Sequence, residues 1–149
     1  MRIHIVHVPW IFLIPYNVAT ILGARVYLAD VDPESGQMTP QNVKNCCKKF
    51  NLKNIKAIIV MYHSGYPQNA ENFKKLKKIF KSTIIEDACH ALGAKYQVKD
   101  KKFKIGSCKH ADISTFSLHP LKTITTGEGG IITTNSKSIY DKLILLRSH

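Results

Sequence analysis

Short runs rich in β-branched residues alternate along this chain with stretches in which apolar side chains recur at helical spacing. Such alternation predicts an α/β domain, a mostly parallel sheet flanked by helices. Strands are expected over residues 3–8, 25–29, 55–61, 83–86, 113–117 and 130–134, and helices over 16–22, 40–50, 70–80 and 137–146. Thr39-Pro40 puts a capping hydroxyl before a proline suited to the first helical turn, Asn69 is positioned to cap the third helix, and Gly23 to end the first. The lysine-rich segment 97–104 reads as an exposed loop or hairpin. With no internal repeat and no Gly/Ser linker, one domain is the expectation.

Charge adds a rival and then weakens it. The net charge of +12 raises nucleic-acid binding. In Asn72-Phe73-Lys74-Lys75-Leu76-Lys77-Lys78-Ile79-Phe80, however, the apolar residues hold one helical face and the lysines the other, the pattern of a solvated surface. No aromatic and basic residues interleave as a base-stacking platform would require, so no nucleic-acid partner is expected. The apolar stretch 8–18 is broken by Pro9, Pro15 and Asn17 and is shorter than the about 20 residues a membrane span needs. Only Arg2 precedes it and no small-residue cleavage site follows, so neither a membrane anchor nor a secretory signal is expected, and the location expected is cytoplasmic. Cys46, Cys47, Cys89 and Cys108 have no paired CxxC spacing and read as free thiols, with no metal site.

Three segments fall at or just beyond the ends of predicted strands: Ile85-Glu86-Asp87-Ala88-Cys89-His90-Ala91-Leu92-Gly93, Phe116-Ser117-Leu118-His119-Pro120-Leu121-Lys122, and Thr125-Thr126-Gly127-Glu128-Gly129-Gly130. Open α/β sheets bind ligands in the crevice outside the carboxyl ends of their strands. By itself Asp87 suits a turn or cap as well as catalysis. Lys122 lies between a polar loop and a glycine-rich turn, outside the amphipathic spacing that accounts for the other lysines.

Together these segments resemble the DegT/StrS-type nucleotide-sugar aminotransferases, enzymes of fold type I that use pyridoxal 5′-phosphate. The run from Phe116 to Gly130, closed by Leu146-Arg147-Ser148-His149, is most similar to the members that act in pseudaminic acid synthesis. The likeness extends from about Val8 to His149, with three motifs in order. It implies that Lys122 is the Schiff-base lysine and proton shuttle, since desolvation and nearby positive charge can leave a lysine amine nucleophilic. It implies that Asp87 partners the pyridinium nitrogen. It further implies that His90 meets the cofactor's phenolic oxygen, that Ser117 helps hold its phosphate, and that Phe12 stacks on its ring. For His90 and Ser117 the plainer readings are a satisfied core histidine and a strand-end hydroxyl; for Phe12, a core aromatic. Glycines 127, 129 and 130 would form the turn after the lysine loop. His119 stands where it could face substrate. One branch of the family carries histidine in place of the lysine and is a dehydratase, so Lys122 favours a transaminase.

By the same resemblance the substrates would be an amino-acid donor, expected to be glutamate, and a nucleotide-linked 4-keto-6-deoxy sugar destined for surface polysaccharide or nonulosonic acid. The full-length form would be a homodimer. Family members are more than twice as long as 149 residues. Residues 1–149 would therefore be the central part of the large cofactor-binding domain, without the N-terminal segment that grips the cofactor phosphate and without the C-terminal small domain. A histidine is common in the family where Tyr62 stands, and a threonine where Ile11 stands. These departures leave an inactive truncated remnant as an alternative, with a basic nucleic-acid-binding domain a more distant one.

Overall fold

The computed structural model describes residues 4–7 and 13–148. In chain order the elements are β1 (His4–His7), α1 (Leu13–Ile21), β2 (Arg25–Leu28), α2 (Pro40–Lys49), β3 (Ala57–Met61), α3 (Ala70–Phe80), β4 (Thr83–Asp87), β5 (Lys95–Val98), β6 (Lys101–Lys104), β7 (Ile113–Ser117), β8 (Gly130–Thr133) and α4 (Lys137–Arg147). Six strands form one sheet in the order β2-β1-β3-β4-β7-β8, parallel except for β8, which returns antiparallel to β7. The expected α/β architecture is therefore present.

The sequence explains the layering. All five residues of β3 are buried, as an unbroken Ala-Ile-Ile-Val-Met run in a central parallel strand should be. Helix α2 presents Val43, Cys46 and Cys47 to the core, and α3 presents Ala70, Phe73 and Leu76. Val43, Cys46, Cys47, Phe73 and Leu76 meet Val6, Ile58, Val60, Ile84 and Tyr62 in one cluster. Burying a side chain such as Phe73 contributes about 1.5–3 kcal/mol. The lysines of α3 stay on its outer side, where Lys77 pairs with Asp112 and Lys74 donates to the carbonyl of Lys109 at 2.9 Å.

Local signals mostly resolve as expected. Thr39 caps α2, its hydroxyl accepting from Asn42 N at 3.2 Å while Asn42 Oδ1 accepts from Thr39 N at 2.9 Å. Gly23 closes α1 by donating to Thr20 O at 2.9 Å. The lysine-rich segment is a hairpin of β5 and β6, held down where Tyr96 Oη meets His110 Nδ1 at 2.7 Å. Asn69 corrects the expectation made for it. Its backbone is left-handed (φ 59°, ψ 15°) and its side chain caps nothing, because from that conformation it reaches Asn72 Nδ2 at 3.3 Å rather than the first helical amides.

Two apolar surfaces face solvent. Ile14, Val18, Ile21 and Leu22 form a stripe along α1, and Ile131, Ile132, Leu145 and Leu146 are exposed on β8 and α4. The α1 spacing is that of a helix face made to pack against something. No described helix is long and apolar enough to cross a membrane.

Candidate active site

The site begins with where β4 stops. Asp87 is the last residue of that strand and lies level with Met61 on β3 and Thr115 on β7. Its carbonyl accepts from Tyr62 N at 3.1 Å, and Ala88 N donates across to Thr115 O at 2.9 Å, so both neighbouring strands hold its backbone. The chain then turns: Cys89 N donates to Asp87 Oδ1 at 3.2 Å, and Ala91 N to Ala88 O at 2.8 Å. The carboxylate is thus oriented by the turn that follows it, and Asp87 is only 6% exposed.

β7 delivers the lysine. Beyond Ser117 the chain makes a loop, residues 118–129, closed at its base by Leu118 N donating to Gly129 O at 2.9 Å and Thr126 N to Leu118 O at 3.0 Å. Inside the loop Lys122 N donates to His119 O at 2.9 Å. The turn back into β8 needs Gly127 (φ 78°) and Gly129 (φ 153°), conformations that side-chain-bearing residues rarely adopt. Lys122 therefore sits half-buried on a loop anchored at both ends.

Asp87, Ser117 and Lys122 converge on one cleft of about 320 Å³, whose other lining residues are Ile14, Pro15, Cys89, Thr115, Phe116 and Gly129. It lies at the carboxyl ends of β4 and β7. A roomier and more polar hollow of about 410 Å³ lies between residues 66–72 and 95–98 but contains neither Asp87 nor Lys122. The Ser117 hydroxyl accepts from His119 N at 3.3 Å, which leaves its own O–H available to donate. His119 is exposed and its Nδ1 accepts from Leu121 N at 3.3 Å, so it serves its own loop. Phe12 lies outside the described residues.

His90 is not part of the cleft lining but stands close enough to feel it. Burial first, then the charges of Lys122 and His63, hold its imidazole below the ordinary histidine value, while Asp87 pulls the other way. His90 is accordingly neutral at neutral pH. Cys89 reports the same field: burial, then hydrogen bonding to Asp87 and its charge, push the thiol up to about 12, against Lys122 and the Ser117 backbone. It is an inert thiol in the wall of the cleft.

Sequence reasoning missed Thr115, Cys89, Ile14 and Pro15 as wall residues. Thr115 carried a signal: side chains alternate along a strand, so it shares a face of β7 with Ser117. Gly65 was missed too. It has φ +76°, and a Cβ there would collide with the carbonyl oxygen of His90. Gly65→Ala should therefore cost about 1–3 kcal/mol, read from the urea midpoint, because neither backbone can yield without moving the segment after Asp87. A midpoint unchanged from the parent would mean that this approach is not tight in solution.

The comparisons with known proteins bear on the family and the fold. Residues 4–149 match the model of the DegT/DnrJ/EryC1/StrS aminotransferase family. The chain is 38% identical over 141 residues to a UDP-4-amino-4,6-dideoxy-N-acetyl-beta-L-altrosamine transaminase of Campylobacter jejuni, covering 95% of this chain and 35% of that protein. It is 35% identical over 133 residues to GDP-perosamine synthase of Escherichia coli O157:H7, covering 89% and 34%. Among solved structures, Helicobacter pylori PseC, an aminotransferase involved in the biosynthesis of pseudoaminic acid, superposes with a TM-score of 0.83 at 30% identity, covering 99% of this chain and 37% of that one. The chain thus spans about a third of the length of these relatives. Over that third the fold and the family model coincide, and the chain belongs to the DegT/DnrJ/EryC1/StrS aminotransferase family.

Proposed function

We propose that the cleft between β4 and β7 binds pyridoxal phosphate with Lys122 as its covalent anchor, within a sugar aminotransferase. The observation that carries this reading is that a nine-tenths-buried carboxylate, Asp87, and the one lysine of the glycine-rich loop, Lys122, meet in a single cleft at the carboxyl ends of adjacent parallel strands. The residues present fit the cofactor. A carboxylate oriented by a backbone amide suits a protonated ring nitrogen, the Ser117 O–H suits a phosphate oxygen, and Ile14, Pro15 and Phe116 supply apolar wall.

The bound cofactor would act as an electron sink for the carbon that loses its proton. The chain's own groups do the rest. Lys122 Nζ would anchor the cofactor, and the same amine would take up and return the proton. Asp87 would partner the ring nitrogen, His90 would meet the phenolic oxygen, and the apolar wall would exclude water. The exposed stripes on α1 and on β8 and α4 support placing residues 1–149 in the middle of a larger cofactor-binding domain. The segment that grips the cofactor phosphate and the small C-terminal domain then belong to the longer protein, which works as a homodimer in the cytoplasm. The similarity to altrosamine and perosamine enzymes supports a nucleotide-linked 4-keto-6-deoxy sugar as acceptor, with glutamate as donor.

The donor half-reaction tests this without the sugar. Glutamate and pyridoxal phosphate should yield 2-oxoglutarate and pyridoxamine phosphate in the presence of the protein. Lys122→Ala should lower the rate on the order of 10²–10⁴-fold, the usual worth of a positioned proton-transfer group. A rate unaffected by Lys122→Ala would remove that residue from the chemistry.

A further inference from the structure

Tyr62 takes hold of β4 twice. It follows directly after β3, whose five residues are all buried, and is itself only 2% exposed. Its backbone N donates to Asp87 O at 3.1 Å, and its Oη donates to Glu86 Oε1 at 3.0 Å. The two bonds fall on consecutive residues but at different distances from the strand axis, one on the main chain and one at the tip of a side chain. On the other flank β7 does the same: Thr115 Oγ1 donates to Glu86 O at 3.2 Å, and Ser114 Oγ donates to Glu86 Oε2. Glu86 and Ser114 are 3% and 0% exposed, so this carboxylate is clamped in the interior.

Asp87 closes β4 and lines the cleft, so its direction depends on how firmly the strand end is held. Main-chain bonds lie close to the strand axis and have little leverage against a twist about it. A bond at the end of the Glu86 side chain has much more. Because side chains alternate across a sheet, Glu86 and Asp87 project to opposite faces, and a twist that swings one carboxylate swings the other. We propose that Tyr62 is a positioning residue for Asp87: by bonding β4 once on the backbone and once at the tip of Glu86, it stops the strand end from twisting and fixes the direction in which the Asp87 carboxylate enters the cleft. That the fixed direction serves a cofactor rests on the reading above; the pinning itself does not. Its seat is the end of β3, a fully buried strand paired on both sides, which makes a rigid base for the lever.

The test is a proton–nitrogen NMR comparison of the protein without cofactor, read at the Cys89 amide, which donates to Asp87 Oδ1 at 3.2 Å and so reports where that carboxylate lies. Tyr62→Phe removes Oη and keeps both the ring and the backbone donor. In it the Cys89 amide proton should move upfield as its bond loosens, while the amides of Ile58 and Ile59 in β3 stay in place. Asp87→Ala takes the acceptor away, so adding Tyr62→Phe to it should move Cys89 no further, since two substitutions that act through one contact are not additive. A Cys89 amide that holds its position in folded Tyr62→Phe, or one that moves equally with and without the Asp87 carboxylate, overturns the proposal. Should Tyr62→Phe fail to fold, Ser114→Ala releases the same lever from the other flank, and an unmoved Cys89 amide there overturns it equally. Where pyridoxal phosphate is trapped at Lys122, Tyr62→Phe should weaken its uptake on the order of 10-fold, the worth of one hydrogen bond, and undiminished uptake also overturns the proposal. The cofactor reading is judged separately: a displaced Cys89 amide without trapping defeats that reading alone, and trapping with an undisplaced amide defeats this inference alone.

Discussion

Asp87→Asn is expected to weaken uptake of pyridoxal phosphate by about 10- to 150-fold, the equivalent of one hydrogen bond to a charged group, while leaving the fold intact. Asparagine keeps the shape of aspartate, so Oδ1 still accepts from Cys89 N and the backbone carbonyl still accepts from Tyr62 N. The negative charge that would face the ring nitrogen is what disappears. An absorbance titration with the cofactor measures the loss, and a urea denaturation curve shows that stability is spared. Cys89 supplies a readout that needs no cofactor. Hydrogen bonding to Asp87 and its charge, after burial, help push that thiol up to about 12, so in Asp87→Asn it should ionise at a lower pH and react faster with iodoacetamide in mildly alkaline buffer. Unchanged affinity together with a faster thiol would leave Asp87 as a local charge with no part in binding.

Glu86→Ala is expected to cost the largest share of stability of any change near the site, at least ~3 kcal/mol. Glu86 is 3% exposed and lies in the interior between strands. Tyr62 Oη donates to its Oε1 at 3.0 Å, Ser114 Oγ donates to its Oε2, and the Gly106 backbone also bonds to it. Truncation leaves all three donors buried without an acceptor, at about 1–3 kcal/mol each. Because these bonds tie β4 to the end of β3 and to β7, the damage reaches Asp87 next door. Glu86→Gln, which keeps an acceptor, should cost much less.

The same pair of proteins carries a pH signature. Burial raises the Glu86 carboxyl above its ordinary value, against the bonds from Ser114, Tyr62 and Gly106. The folded state then holds this proton more tightly than the unfolded state does. Its contribution to stability is complete below the unfolded carboxylate value of about 4.3 and is lost as pH rises through the folded value. Glutamine has no proton to lose, so the stability of Glu86→Gln relative to the parent should improve with rising pH across that window. Urea midpoints at a series of pH values measure the difference, and a difference that stays flat contradicts it.

Periodicity and punctuation revealed much of this fold. Thr39-Pro40 announced α2 because its capping hydroxyl and first-turn proline act locally, and the Phe73-Leu76 spacing announced the buried face of α3. Asn69 misled for the complementary reason: capping depends on backbone conformation, and the left-handed residue there is decided by the turn before it. Asp87, Ser117 and Lys122 were legible because a parallel sheet gathers its strand ends at one edge, so motifs at successive ends must meet. Gly65 was not, since its close approach to the His90 carbonyl is a tertiary contact that no spacing along the chain encodes. Glu86 was hidden in plain view beside Asp87, because strand alternation sends the two carboxylates to opposite faces of the sheet.

If the β4–β7 cleft holds pyridoxal phosphate, Lys122 is the residue that becomes bonded to it. The most direct test is to incubate the purified chain with the cofactor, reduce with borohydride and map the modified lysine by mass spectrometry. One dominant label is expected, on Lys122, and it should vanish in Lys122→Ala without moving elsewhere. A label scattered over the exposed lysines of α3 and the β5–β6 hairpin, or one indifferent to Lys122→Ala, would contradict it.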